Sequence, residues 1–296
     1  MNKKNGMHIL LVINPKSGSA NVSTLEELVK KYADRFQFIP EIYLTKGKHD
    51  QEEIKQLIKT SSPQMIIAVG GDGTINMLAP LLLNTKLVLG IIPAGSANGL
   101  AYNLDIPNNA EKALKRILEG QERQIDCIQI NERYCLHLSD IGINARIVKR
   151  FEEEQSKGLR GYAKHLLKEL FSKNEAFLFR IKTKEGIDKK RKAEMVVIAN
   201  AQAYGTGARI NPQGKIDDGL FEVIVIKPYP WWSVVRFVYN IFAGRLHTMK
   251  YVKVYHSCEA ELLLKKPQVI QIDGEIVNDT LKINLKLLPG AIRIVC

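Results

Sequence analysis

The stretch Met65-Ile-Ile-Ala-Val-Gly-Gly-Asp-Gly-Thr74 decides how the chain is read. Met65 to Val69 is wholly apolar, as expected of a strand covered on both faces of a parallel sheet. A glycine-rich turn follows at once, and helical patterning resumes after it. Upstream, His8 to Ile13 is a second nearly unbroken apolar run, ending at Asn14-Pro-Lys-Ser-Gly18. Ser23-x-x-Glu26 has the form of a capping box for a helix through about Ala33. Phe36 to Leu44 then reads as a strand and His49 to Thr60 as a helix. Downstream, Leu87 to Ile92 is a strand running into Pro93-Ala-Gly-Ser-Ala-Asn98, and Asn109 to Glu119 is a helix closed by Gly120. Strands alternating with helices over short connections predict a doubly wound, mostly parallel sheet.

Beyond Gln124 the pattern changes. Gln124–Ile130 and Arg133–Leu138 read as a hairpin around Asn131-Glu132. Phe177–Lys184 and Lys192–Ala199 flank Glu185-Gly186, and Val269–Ile272 and the run from Ile276 flank Asp273-Gly274. Helical stretches are expected near 144–173 and 231–243. The fold class is therefore α/β in two domains. Residues 1–124 form the doubly wound mostly parallel sheet, and 125–290 a largely antiparallel β-rich domain. No linker, low-complexity segment or repeat interrupts them.

The length of 296 residues is about twice the soft prior for one domain. With 45% hydrophobic and 25% charged residues, composition excludes disorder, collagen and coiled coil. Lys and Arg number 43 against 31 Asp and Glu, a net charge of +12 that predicts anionic company. Cys127, Cys135, Cys258 and Cys296 show no metal-ligand spacing and read as buried thiols of a reducing compartment. The run from Met7 to Ile13 is too short for a signal peptide and ends at Asn14-Pro15, so a first strand is expected there. No stretch approaches the ~20 apolar residues of a membrane span. The nearest, Pro228 to Ala243, carries Arg236. A cytoplasmic protein, touching membranes peripherally if at all, is expected.

The function-bearing pattern is a repeated device. Three apolar strands end in turns rich in Gly, Ser or Thr: Asn14-Pro-Lys-Ser-Gly18, Gly70-Gly-Asp-Gly-Thr74 and Pro93-Ala-Gly-Ser96. In a parallel sheet all three lie at the carboxyl edge, where ligands bind in doubly wound folds. Such turns present backbone N–H groups and the positive end of a helix dipole, and glycine lets phosphate oxygens approach closely. One such turn is often mere tight geometry; three on one edge point to a polyphosphate. Neither the P-loop pattern nor the Rossmann fingerprint is met, since Asn76 stands where the third Rossmann glycine belongs.

These motifs, in this order, resemble the diacylglycerol-kinase catalytic family, particularly bacterial lipid kinases related to sphingosine kinases. The resemblance also covers Asn98, Gly142-x-Asn-Ala145, Asn200–Gly207, Asp217-Asp-Gly-Leu-Phe-Glu-Val223 and Asp273-Gly-Glu275, and so spans essentially the whole chain. The glycine motif alone is shared with NAD kinases and phosphofructokinases.

The resemblance implies ATP in an interdomain cleft and a last strand, 291–296, that returns to the first domain. By motif position, Asn14, Pro15, Lys16, Ser17, Gly18, Thr45, Gly70, Gly71, Asp72, Gly73, Thr74, Ile75, Asn76, Met77, Gly95 and Ser96 would line the nucleotide. A structural Mg²⁺ would sit in the loop of Lys215, Asp218 and Leu220. Glu275 would be the general base for a lipid hydroxyl, Asp273 would orient groups or help hold a metal-bound water, and Asp72 would face the phosphates and their Mg²⁺. Read alone, Asp273-Gly274 is a hairpin signal, compatible with that role. Two adjacent carboxylates also tend to raise one pKa, which suits a base acting near neutrality.

Met77 and Gly99 depart from the commonest family pattern, where acidic residues are frequent. Arg146 stands where sphingosine kinases place an acidic residue for the lipid amine, so a neutral, diacylglycerol-like acceptor is expected over a sphingoid base. Tyr229 to Tyr255 holds eight of the twenty-one aromatics, interleaved with Arg236, Arg245 and Lys250. It reads either as a core-packing helix or as an anionic-membrane contact. Lys189-Lys-Arg-Lys192 is likewise a solvated hairpin edge or a membrane contact. His137 and His165 read as structural. NAD kinase, a degenerate nucleotide or lipid sensor, and a nucleic-acid binder supported by charge alone are the competing readings; no nucleic-acid partner is expected.

Overall fold

A computed structural model describes residues 6–18, 21–142, 145, 176–205 and 207–296. The helix expected near 144–173, with Asn144, Arg146 and His165, lies outside the described residues. Contacts divide the chain into two units, Met1–Ile125 with Gly290–Cys296, and Asp126–Pro289.

In the first unit, strands β1 (Met7–Ile13), β2 (Phe38–Leu44), β3 (Met65–Gly70) and β4 (Val88–Pro93) pair in parallel in the order β4-β3-β1-β2. The end of the last strand, β14 (Glu275–Val295), joins β4 in parallel through Arg293↔Val88 and Ile294↔Leu89. Burial follows position. β3 and β4 are buried at every residue, whereas β2 at the edge exposes Ile39, Ile42 and Leu44.

Helix α1 (Val22–Phe36) buries Leu25, Val29, Tyr32 and Ala33, the spacing of a single helical face. It starts two residues earlier than the expected capping box requires. Asn21, not Ser23, is the cap, accepting from the Thr24 amide at 3.3 Å. Ser23 instead donates its hydroxyl to the same Asn21 oxygen at 2.8 Å. Helices α2 (Asp50–Ser61), α3 (Asp72–Leu82), α4 (Gly99–Asn103) and α5 (Ala110–Glu119) follow, α5 capped by Asn109. The chain leaves β1 through α1 toward β2, and leaves β3 through α3 toward β4. The strand order therefore reverses between β1 and β3, the place where doubly wound sheets bind ligands.

The second unit is built on antiparallel pairing. The chain enters it within β5 (Glu122–Ile130), which pairs β6 (Arg133–Cys135). A sheet then runs β12 (Val252–Ser257), β11 (Phe221–Ile226), β10 (Met195–Ala199), β7 (Leu138–Gly142), β13 (Glu259–Ile272), β14. The hairpin of β8 (Phe177–Thr183) and β9 (Asp188–Ala193) joins it at β13. Helix α6 (Val234–Phe242) follows a 3-10 turn at Trp231–Ser233.

Two expectations are corrected. The segment Lys192–Ala199 is not one strand opposite Phe177–Lys184. Its charged start belongs to the largely exposed β9, and its apolar remainder is the fully buried β10 between β7 and β11. The break falls at Glu194, because a solvent-facing edge and a central strand cannot share one burial pattern. Of the cysteines only Cys127 and Cys135 are buried; Cys258 and Cys296 are partly exposed. Among the described residues, no helix is long and apolar enough to cross a membrane.

Candidate active site

Strand pairing sets the three turns of the first unit side by side. The Asn14 amide donates to the Val69 carbonyl at 2.9 Å, and the Ala94 amide donates to that of Gly70, also at 2.9 Å. The tip of β2 joins them, with the Thr45 amide on the Ile13 carbonyl at 2.9 Å. Asn14 shapes its own turn, its side-chain oxygen accepting from the Lys16 amide at 3.0 Å and its carbonyl from the Ser17 amide at 3.1 Å. Pro15, Lys16 and Gly18 are exposed and Ser17 half-buried.

The second and third turns pack backbone to backbone. A Cβ on Gly95 would lie 2.5 Å from the Gly71 Cα, so neither turn can accept a side chain there without parting from the other. A Cβ on Gly18, by contrast, would meet nothing within 4 Å. Gly18 is thus not dictated by packing. Gly71 caps α3 without a side-chain hydrogen bond to the first-turn amides. Thr74 and Ile75 are buried under the turn, while Gly73 and Ser96 are exposed. Met77 is half-buried, and its carbonyl accepts from Gln51 at 2.9 Å.

Asp72 does not simply face outward. Its carboxylate accepts from the Gly99 amide at 2.7 Å and the Leu100 amide at 3.0 Å, capping α4 and clamping the second turn to the third. Asn98 closes that third turn, accepting from and donating to Gly95 at 2.9 Å each. Asp72→Ala leaves two helix-start amides without this acceptor. It is expected to destabilise the first unit by about 1–2 kcal/mol and to abolish lipid phosphorylation. Denaturant unfolding and a labelled-phosphate assay measure the two effects, and full activity in the variant would remove Asp72 from the site.

In the second unit, Asp273 and Gly274 are the two central residues of a hairpin turn, with φ of 47° and 91°. Both positive values define the type I′ geometry that Asp-Gly favours. Ile272 pairs with Glu275 across it. The two carboxylates of this motif are then sharply divided. Asp273 is 2% exposed and surrounded by donors. It accepts from the amides of Leu136 at 2.6 Å, His137 at 3.0 Å and Leu138 at 3.0 Å, and from the His137 ring at 2.6 Å. Burial pushes its carboxyl up, but the charge of His137 and the surrounding amides outweigh burial and hold it below the usual carboxylate range. Asp273 is therefore a fastener for the turn, not a group reaching for a metal-bound water, and the pairing does not raise its pKa. Glu275, the first residue of β14, is exposed.

Motif residues to which sequence assigned no role fasten the same neighbourhood. Asn200 donates to the carbonyls of Asp126 and Leu136 at 2.9 Å each. Asp126 accepts from the Gly219 amide at 2.8 Å. Buried Glu222 accepts from Asn211 at 2.7 Å and approaches the His256 ring at 3.1 Å, its carboxyl raised chiefly by burial. His137 carried no local signal, because its partner Asp273 lies 136 positions along the chain.

The Mg²⁺ expectation at the Lys215–Leu220 loop rests on one carboxylate, Asp218, together with main-chain oxygens of Lys215 and Leu220. Asp218 is exposed and its Oδ1 already accepts from the Leu220 amide at 3.1 Å. Among the described residues no three His, Cys, Asp or Glu side chains converge to hold an ion.

A doubly wound sheet whose glycine-rich turns meet at the reversal point is an architecture that binds nucleotide phosphates at that edge. Residues 8–130 match the diacylglycerol kinase catalytic domain, and residues 139–296 the YegS C-terminal NAD kinase beta sandwich-like domain. The chain belongs to this lipid-kinase family, and it is a kinase phosphotransferase whose family implies ATP use. It is 25% identical over 96% of its length to a Salmonella schwarzengrund protein described as "Probable lipid kinase YegS", covering 94% of that protein. It is 28% identical over 96% of its length to an uncharacterized Synechocystis protein, covering 69% of it. A solved Bacillus anthracis structure, described as "a putative diacylglycerol kinase", superposes with TM-score 0.81 at 25% identity, over 99% of this chain and 98% of that one. Yeast NADH kinase shares the fold at TM-score 0.50 and 10% identity, over 99% of this chain and 84% of that one.

Proposed function

We propose that the chain transfers the γ-phosphoryl group of ATP to the hydroxyl of a neutral glycerolipid of the diacylglycerol type. The observation that carries the reading is the junction of the β1, β3 and β4 turns, which gathers backbone donors and helix starts at one edge, as a triphosphate requires. Phosphoryl transfer is mostly positioning and charge stabilisation. The turns bind and orient the phosphates. Glu275 takes the proton from the acceptor hydroxyl as its oxygen bonds to phosphorus and the bond to ADP breaks. Asp273 and His137 hold the turn that presents Glu275. Mg²⁺ on the ATP would offset phosphate charge when bound. Arg146 stands where the resembling sphingosine kinases carry an acidic residue for the lipid amine, which favours a neutral acceptor over a sphingoid base.

Purified protein with γ-labelled ATP and a panel of diacylglycerol, sphingosine and NAD tests this. Label is expected in diacylglycerol. Label in sphingosine alone or in NAD alone would overturn the assignment, and no label anywhere would favour a degenerate nucleotide sensor.

A further inference from the structure

Helix α6 buries Val234, Phe237 and Asn240, with Phe237 in the core and stacked on Tyr229 at 5.2 Å. Its other side carries large apolar groups in the open. Val235 is 73% exposed, Tyr239 65% and Phe242 59%, and the preceding turn adds Trp231 at 71% and Trp232 at 68%. Trp231, Val235 and Tyr239 recur at four-residue spacing and Phe242 follows three later, which makes one stripe. Exposed apolar residues are ordinarily scattered singly; a contiguous stripe marks a contact surface.

Along the segment that carries the stripe the charge has a single sign. Between Glu222 and Glu259 there is no acidic residue, while Lys227, Arg236, Arg245, Lys250 and Lys253 all fall there. Arg236, Arg245 and Lys250 are exposed. Lys250 sits 4.9 Å from the centre of the Tyr251 ring. Indole and phenol rings settle at the headgroup level of a bilayer, aliphatic and phenyl groups enter the acyl boundary, and exposed cations beside them meet anionic headgroups.

We infer that α6 and the Trp231-Trp232 turn form a docking surface for an anionic lipid bilayer. The inference deepens the lipid-kinase reading, because such an acceptor resides in a bilayer, yet its test needs neither ATP nor acceptor lipid. Trp231 and Trp232 are the chain's two tryptophans, so fluorescence excited selectively at tryptophan reports this surface. The full chain is titrated with phosphatidylcholine vesicles with or without phosphatidylglycerol. A blue shift with the anionic vesicles is expected, together with quenching by acyl-brominated lipid and weakening by salt.

Partitioning of R236Q/R245Q/K250Q should fall by roughly fivefold per charge removed. Val235→Ser with Phe242→Ser should also release the protein from sedimented vesicles, whereas K189Q/K190Q on β9 should retain wild-type binding. Vesicle binding without a tryptophan shift, equal loss in the β9 variant, or a shift that grows with protein concentration in the absence of vesicles would each overturn the inference, the last in favour of self-association. An active kinase on detergent-dispersed lipid that ignores vesicles would sink the docking surface alone. Vesicle binding by a chain that labels no lipid would sink the kinase reading alone.

Discussion

Glu275→Gln is expected to lower ATP-dependent lipid phosphorylation by roughly a hundred- to ten-thousandfold, the usual range for removing a general base. The substitution keeps the shape of the side chain and removes its capacity to take a proton. Glu275 is exposed at the first position of β14. Unfolding of the variant should therefore match the parent within about 0.5 kcal/mol, as for most surface changes. Turnover within a few-fold of wild type would remove Glu275 from the chemistry. Lost turnover with an unchanged fold and unchanged ATP affinity would place it there.

Asp273→Ala should act through the fold instead. The carboxylate is buried against three amides and the His137 ring, and removing it leaves those donors uncompensated. Breaking a buried charge pair costs about 3–5 kcal/mol. For a unit of this size the melting temperature should then drop by roughly 6–20 °C. The pH dependence has a definite sign. The folded Asp273 carboxyl lies below its ordinary value, so its stabilisation is fully present above the unfolded pKa of about 3.9 and is lost as pH falls through the lower folded value. Asp273→Asn should lack that acid-side decline. Calorimetry of the parent and both variants between neutral and acid pH measures it, and superimposable melting curves would rule out the buried network as a stabilising element. Cys135 and Cys127 lie in the same pocket, and burial first, then Asp273, pushes both thiols up. Slow alkylation of both in the parent and faster alkylation in Asp273→Ala would report the same loss of packing.

Much of the fold could be read from patterning. The unbroken apolar runs of β1, β3 and β4 reflect burial on both faces, and the Asp-Gly pair at 273–274 demands positive φ values that few other residues tolerate. Hairpin partners were less legible. The break at Glu194 depends on β10 being central and β9 peripheral, which nothing within residues 188–199 states. The cap of α1 shows the same limit on a smaller scale, because Asn21 and Ser23 are both competent caps and the path of the entering chain chose between them.

By itself, the sequence determined the class of chemistry: strand-to-helix turns made of small residues, recurring along an α/β chain, are local features whose backbone amides suit phosphate wherever the strands are parallel. Only the tertiary structure decided which carboxylates are spoken for. Asp72 and Asp273 look like available carboxylates in the linear chain, yet amides 27 and 137 positions away hold them. The same holds for the aromatic stretch around Trp231, whose composition suits a core or a membrane equally. Packing of Phe237 against Tyr229 buried one side of α6 and left the other in the open. Hydrogen-bond partners and helix faces are properties of long-range packing, and no local pattern encodes them.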